Sequence, residues 1–114
     1  AGGALAVMVG GTQNTGSGSS SRLLGGADNV ASAEYAAVCG GQNSEASGYS
    51  AAISGGYANL ASSNYATVGG GGYNTASGIG SAVSGGLRNE AAHVYSIVVG
   101  GSVQTSSSAY DVAN

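Results

Sequence analysis

Large apolar residues in this chain fall neither at helical spacing nor in long runs. What recurs is one position in every fifteen that is always apolar, between neighbours that vary in character. With the first glycine of each Gly-Gly pair as position 1, position 14 holds Met8, Leu23, Val38, Ile53, Val68, Val83, Val98 and Ala113. Position 12 is Ala or Ser until Asp111, while positions 13 and 15 vary. In segments such as 50–54 and 65–69 this is the period-two signature of a short strand with one buried face. A second repeated face lies at positions 5 and 7. Position 5 is Asn14, Asn29, Ser44, Asn59, Asn74, Asn89 and Gln104, and position 7 is Gly, Ala or Ser. The pattern therefore predicts a strand over positions 11 to 15 and a weaker one over positions 4 to 8. A helix is excluded, because nothing recurs near 3.6 residues and each repeat would place several glycines inside it.

The glycine pairs Gly10-Gly11, Gly25-Gly26, Gly40-Gly41, Gly55-Gly56, Gly70-Gly71, Gly85-Gly86 and Gly100-Gly101 repeat every 15 residues without insertion or deletion. Residues 1–9 fit as the end of a preceding copy, giving about 7.5 turns in one repeat domain, 1–114. Residues 25–99 are regular, and 1–24 and 100–114 are atypical turns, as terminal repeats commonly are. Two strands and two glycine corners per repeat predict an all-β parallel β-solenoid, each turn supporting the next. Like then stacks on like. Val38, Ile53, Val68, Val83 and Val98 form an apolar ladder, and Asn29, Asn59, Asn74 and Asn89 an amide ladder bonded along the axis. Strand spacing of about 4.8 Å implies a rod roughly 36 Å long. The paired glycines are expected where tight reversals need positive φ. One Val-sized residue per turn buries little apolar surface at about 25 cal/mol per Å², against about 1–2 kcal/mol of backbone entropy per residue. Several chains are therefore expected to pack side by side or end to end.

Composition narrows the function classes. The 114 residues include 23 Gly but no Pro, Trp or Phe, and a strict 15-residue period excludes collagen, which needs Gly at every third position. A net charge of −3, with Arg22 and Arg88 as the only basic residues besides His93, leaves no face for nucleic acid. The longest apolar run, 4–9, is far short of the roughly 20 residues a membrane helix needs, and it lies in register with the repeat. No direct membrane insertion is expected. The run reads as a turn of the array, and the chain as a mature secreted product or a piece of something longer. Cys39 is alone, so neither a disulfide framework nor a thiolate metal site is expected; it reads as a small residue tolerated at position 15, with an intermolecular disulfide as the alternative.

Each repeat divides into two half-motifs: residues 41–47 read GQNSEAS and 48–54 GYSAAIS; residues 71–77 read GGYNTAS and 78–84 GIGSAVS. This pattern resembles the YadA-like head domains of trimeric autotransporter adhesins, whose turns read approximately G-x-x-S-x-A-x-G-x-x-S-x-A-x. The likeness covers essentially the whole chain, most clearly residues 25–101. It implies a left-handed β-roll, a homotrimer, display on the bacterial cell surface, and adhesion to extracellular matrix protein or a cell-surface ligand. The second glycine and the Asn at position 5 depart from the family pattern, and these residues contain no coiled-coil stalk, heptad or anchor. Similar repeats also suit phage tail fibres, so the alternative is a self-assembling subunit of an extracellular filament or tail-fibre-like shaft.

Candidate chemistry is sparse. Position 11 is Tyr35, Ser50, Tyr65, Gly80 and Tyr95, and position 9 alternates in step as Ala33, Gly48, Ser63, Gly78 and His93. This 30-residue super-period spaces phenols about 9.6 Å apart along one edge. With Tyr49, Tyr57 and Tyr73 nearby, Tyr35, Tyr65 and Tyr95 form a candidate aromatic contact surface, since Tyr supplies large area at low entropic cost. Otherwise the array is a doubled two-turn unit whose tyrosines cover backbone at a corner or a seam between chains. His93 has Glu90 and Arg88 nearby but no nucleophile in recognisable relation to it, so it reads as a surface residue. No G-x-S-x-G, G-x-G-x-x-G or Walker lysine is present. The two aspartates stand in unrelated phases, against a calcium-binding nonapeptide array. Thr15, Thr75 and Thr105 share position 6, but Val30, Glu45, Leu60 and Glu90 interrupt the rank an ice-binding face would need. No catalytic residue, cofactor or metal is expected. The sequence reads as a non-enzymatic extracellular adhesin head.

Overall fold

The structure is a computed structural model, and it describes residues 6–106 and 108–113. All regular structure among them is β, in strands of two residues. One ladder contains Val7–Met8, Arg22–Leu23, Ala37–Val38, Ala52–Ile53, Thr67–Val68, Ala82–Val83, Ile97–Val98 and Val112–Ala113. The other contains Thr15–Gly16, Val30–Ala31, Glu45–Ala46, Leu60–Ala61, Thr75–Ala76 and Glu90–Ala91. Within each ladder all pairing is parallel and follows chain order. Val68 pairs with Val83 and Thr75 with Glu90, each 15 residues on. Isolated bridges at position 3, from Thr12↔Ala27 to Leu87↔Ser102, add a third, narrower line of pairing. The result is a parallel β-solenoid of flat cross-section, 37 × 20 × 12 Å, close to the length expected from strand spacing.

Burial follows the predicted alternation. Val38, Ile53, Val68, Val83 and Val98 at position 14, Ala36, Ala51 and Ala66 at position 12, and Ala31, Ala46, Ala61, Ala76 and Ala91 at position 7 are all fully buried. Asn29, Asn59, Asn74 and Asn89 complete the inward set at position 5. Side chains at positions 6, 8, 13 and 15 point outward, as the pleat requires. Local volume is balanced within a turn: Leu23 exceeds the usual Val by one carbon, and Gly16 stands where other turns carry Ala. A Cβ on Gly16 would come within 3.1 Å of Leu23 Cδ1.

The strands are shorter than the pattern predicts, and left-handed residues delay their starts. Position 11 has φ of 60° at Tyr35, 54° at Ser50 and 61° at Tyr65; position 4 has 54° at Ala58, 55° at Tyr73 and 55° at Arg88. The glycine expectation needs correction. Only the second glycine of each pair is held left-handed throughout, as in Gly86 at φ 95°, where an added Cβ would overlap the Gly101 carbonyl oxygen. The first, such as Gly55 or Gly85, meets nothing within 4 Å and has no positive φ.

The 30-residue super-period also has a steric origin. The Ala61 carbonyl accepts from both Ser47 N–H (2.9 Å) and Gly48 N–H (3.3 Å), and Ala91 accepts likewise from Ser77 and Gly78. This draws the corner so close that a Cβ on Gly48 or Gly78 would overlap the carbonyl oxygen of Ser63 or His93. In the intervening turns Ser32 and Ser62 make the equivalent single bond, and position 9 carries a side chain.

The asparagine ladder joins turns by bonds from amide to backbone. In Asn74, Nδ2 donates to Gly70 O at 2.7 Å and to Gly86 O at 3.0 Å, while Oδ1 accepts from Asn89 N–H at 2.9 Å. Asn29, Asn59 and Asn89 repeat the pattern. Each buried amide satisfies its own turn and the next, which meets the requirement that buried polar groups be paired. Ser44 is the exception: its Oγ accepts from Asn59 N–H at 3.2 Å but does not reach the glycine carbonyls.

Candidate interaction surface

Five residues separate the two strands on one side of a turn, and six on the other, so each turn has two corners and the rod two long edges. Positions 10 and 11 lie on one edge, positions 3 and 4 on the other. The candidate tyrosines divide between them. Tyr35, Tyr49, Tyr65 and Tyr95 occupy the first edge, whereas Tyr57 and Tyr73 occupy the second.

On the first edge the rings touch in sequence. Tyr35 and Tyr49 lie 5.6 Å apart between centroids at 89°, and Tyr49 and Tyr65 lie 5.7 Å apart at 81°, both edge-to-face. Beyond them the Tyr95 ring covers Gly80, where a Cβ would approach Tyr95 Cδ1 to 2.6 Å. Tyr95 then stacks on Tyr110 at 5.6 Å and 27°. Tyr110 was absent from the sequence-derived surface. It occupies position 11 one turn after Tyr95, so it breaks the two-turn alternation that singled out the others. Position 11 is left-handed, which is unusual for a bulky residue and costs on the order of 1–3 kcal/mol. Backbone pairing holds it there: Tyr65 N–H donates to Tyr49 O at 2.8 Å, and Tyr95 N–H to Ile79 O at 2.8 Å.

On the second edge Tyr57 and Tyr73 meet at 5.5 Å and 67°, and the Arg88 guanidinium lies 5.5 Å from the Tyr73 ring centroid. Such cation–π contacts at exposed sites contribute about 0.5–1 kcal/mol. Edge-to-face aromatic pairs contribute a similar amount, so both edges stabilise the stack as well as presenting area outward. All seven tyrosines remain exposed, from 39% at Tyr49 to 75% at Tyr110. Partial desolvation of Tyr49, followed by the nearby Glu34 carboxylate, raises its phenol above the usual tyrosine range.

The two broad faces differ. Outward positions of the Ala37–Val38 ladder carry Ala37, Ala52, Thr67 and Ala82 beside Cys39, Ser54 and Ser84 in the middle turns, with Arg22 and Leu24 toward one end, Ile97 and Val99 toward the other, and no acidic residue. The opposite face carries Glu45 and Glu90 among Leu60, Thr75 and a rank of serines. Cys39 and His93 are exposed, as their sequence positions imply. Among the described residues no cleft is enclosed and no three metal-ligating side chains converge. Comparison with known family models and with characterised proteins gives no match.

Proposed function

We propose that this chain is the head of a non-enzymatic adhesin displayed outside a bacterial cell, binding matrix protein or a cell-surface ligand through its exposed edges. The observation that carries this reading is the aromatic lining of both long edges. Exposed aromatic rings aligned along a rigid rod offer large contact area at low entropic cost, and weak contacts repeated along a rod and among chains multiply by avidity. The resemblance of the 15-residue repeat to YadA-like heads adds a left-handed coil and a three-chain assembly.

The face without acidic residues is the side through which chains pack around a common axis. Its small side chains, Ala37, Ala52 and Ala82, permit close approach. A face of 37 × 20 Å offers roughly 740 Å² per chain, which a trimer divides between two neighbours at about 370 Å² each, below the roughly 800 Å² per partner of a standard interface, so the assembly rests on all three contacts together. Packing there leaves the edges outward and supplies the burial that a rod 12 Å thick lacks.

Light scattering after size exclusion, followed through dilution, tests the assembly. A stable mass of three chains, lost in Ala52→Lys, is expected; growth into particles of indefinite mass would replace the adhesin with the filament subunit. Binding of the trimer to immobilised matrix proteins and to whole cells, with and without Tyr65→Ser, tests the edges. Equal binding by the variant would overturn their role.

A further inference from the structure

We propose that the tyrosine edges are sites of oxidative cross-linking, at which neighbouring phenols join covalently and staple one turn of the solenoid to the next. Four pairs of exposed rings meet at 5.5–5.7 Å: Tyr35 with Tyr49, Tyr49 with Tyr65, Tyr57 with Tyr73, and Tyr95 with Tyr110. Every pair joins consecutive turns. Two of them are also tied through the backbone, since Tyr65 N–H donates to Tyr49 O at 2.8 Å and Tyr73 N–H to Tyr57 O at 2.9 Å. The ring origins therefore cannot drift apart without breaking the ladder.

The chemistry requires hydrogen peroxide as oxidant and a haem peroxidase to deliver it. Each phenol loses one electron and one proton, giving a neutral phenoxyl radical with spin density at the ring carbons ortho to oxygen. Two such radicals in contact form a carbon–carbon bond between Cε atoms. Both rings then regain aromaticity as the hydrogen on each joined carbon returns to its oxygen. The pair has lost two hydrogen atoms in all, and the peroxide takes up the two electrons and two protons to become two waters. Contact matters because the radicals are short-lived: rings held together react at high effective concentration, far above that of another chain in dilute solution. Tyr49 touches two partners and so is the branch point of the first edge.

The inference stands on ring geometry and does not rest on the adhesin reading. Dilute protein treated with peroxide and peroxidase should acquire dityrosine fluorescence while running as a single chain on a denaturing gel, its mass reduced by two hydrogens per link. Proteolysis and mass spectrometry should recover Tyr35 or Tyr65 joined to Tyr49, Tyr57 to Tyr73, and Tyr95 to Tyr110. Tyr49→Phe should abolish the two products that involve Tyr49 and keep the Tyr57–Tyr73 and Tyr95–Tyr110 products. The same treatment in urea should lower the intrachain yield several-fold. Links formed mainly between chains, an unchanged product set in Tyr49→Phe, or equal yield in urea would each overturn the proposal.

Discussion

Replacing Asn74 probes whether the amide ladder holds the turns together. The side chain is fully buried and makes three hydrogen bonds, to Gly70 O, Gly86 O and Asn89 N–H. In Asn74→Ala the Asn89 N–H is left unpaired in the interior, which costs about 1–3 kcal/mol, and two donated bonds worth about 0.5–1.5 kcal/mol each are lost. Gly86 O keeps its bond from Gly72 N–H, so the total expected is about 4 kcal/mol. Asn74→Ser should lose only about 2 kcal/mol, because Ser44 shows that a hydroxyl at this position still accepts the N–H one turn on. Urea unfolding followed by circular dichroism measures both differences. Hydrogen exchange should place the loss in the turns around Asn74, since a linear array is stabilised by nearest neighbours. Equal destabilisation by Ser and Ala, or a cost for Ala below about 1 kcal/mol, would refute the role given to the ladder.

The converse substitution, Ser44→Asn, should stabilise the rod by about 1–2 kcal/mol by adding donors to the carbonyls of Gly40 and Gly56, as a higher urea midpoint would show. Ser21 is buried and its hydroxyl has no partner, so Ser21→Ala, the residue of the turns with Ala36 and Ala51, should raise stability by about 1 kcal/mol in the same assay. Gly85→Ala should be neutral or stabilising by about 0.4–1 kcal/mol through the unfolded chain, whereas Gly86→Ala should lose at least about 1–3 kcal/mol from backbone strain alone, before its clash with Gly101; thermal melts should place Gly85→Ala at or above the parent and Gly86→Ala well below it. The Tyr49 phenol is raised by desolvation and then by Glu34, so its contribution to stability is whole below the ordinary tyrosine value of 10.0 and declines as pH rises through the raised value. Spectrophotometric titration should find this phenol ionising above the ordinary tyrosine value, and Glu34→Gln should bring it down.

Much of the fold was legible because a solenoid repeats one decision. Burial at positions 5, 7, 12 and 14 recurs in every turn between residues 16 and 98, so Val68 could be placed under Ile53 and over Val83 from spacing alone. The tyrosine surface was only partly legible. Tyr49 and Tyr57 are eight residues apart in sequence, yet which edge each joins depends on where the strands begin. Their starts are set by left-handed residues; Asp28, Asn43 and Gly80 among them are ordinary turn formers, but Tyr, Ala and Arg at the equivalent positions carry no turn signature. Tyr110 escaped notice for a related reason: it meets Tyr95 through register, and the alternation of neighbouring turns pointed elsewhere.

By itself the sequence determined the period, the inward positions and the length of the rod, because parallel stacking in exact register is the one arrangement that keeps positions 5, 7, 12 and 14 inside turn after turn. Only the tertiary structure decided which glycine of each pair is obligatory, why position 9 alternates, and how each asparagine is bonded. These depend on the distance between a backbone atom and the carbonyl one turn away, in which differences of a few tenths of an ångström decide and no residue pattern encodes them. It also decided that the aromatic residues form two separate edges, since the number of residues each corner consumes sets the side of the rod on which a ring emerges.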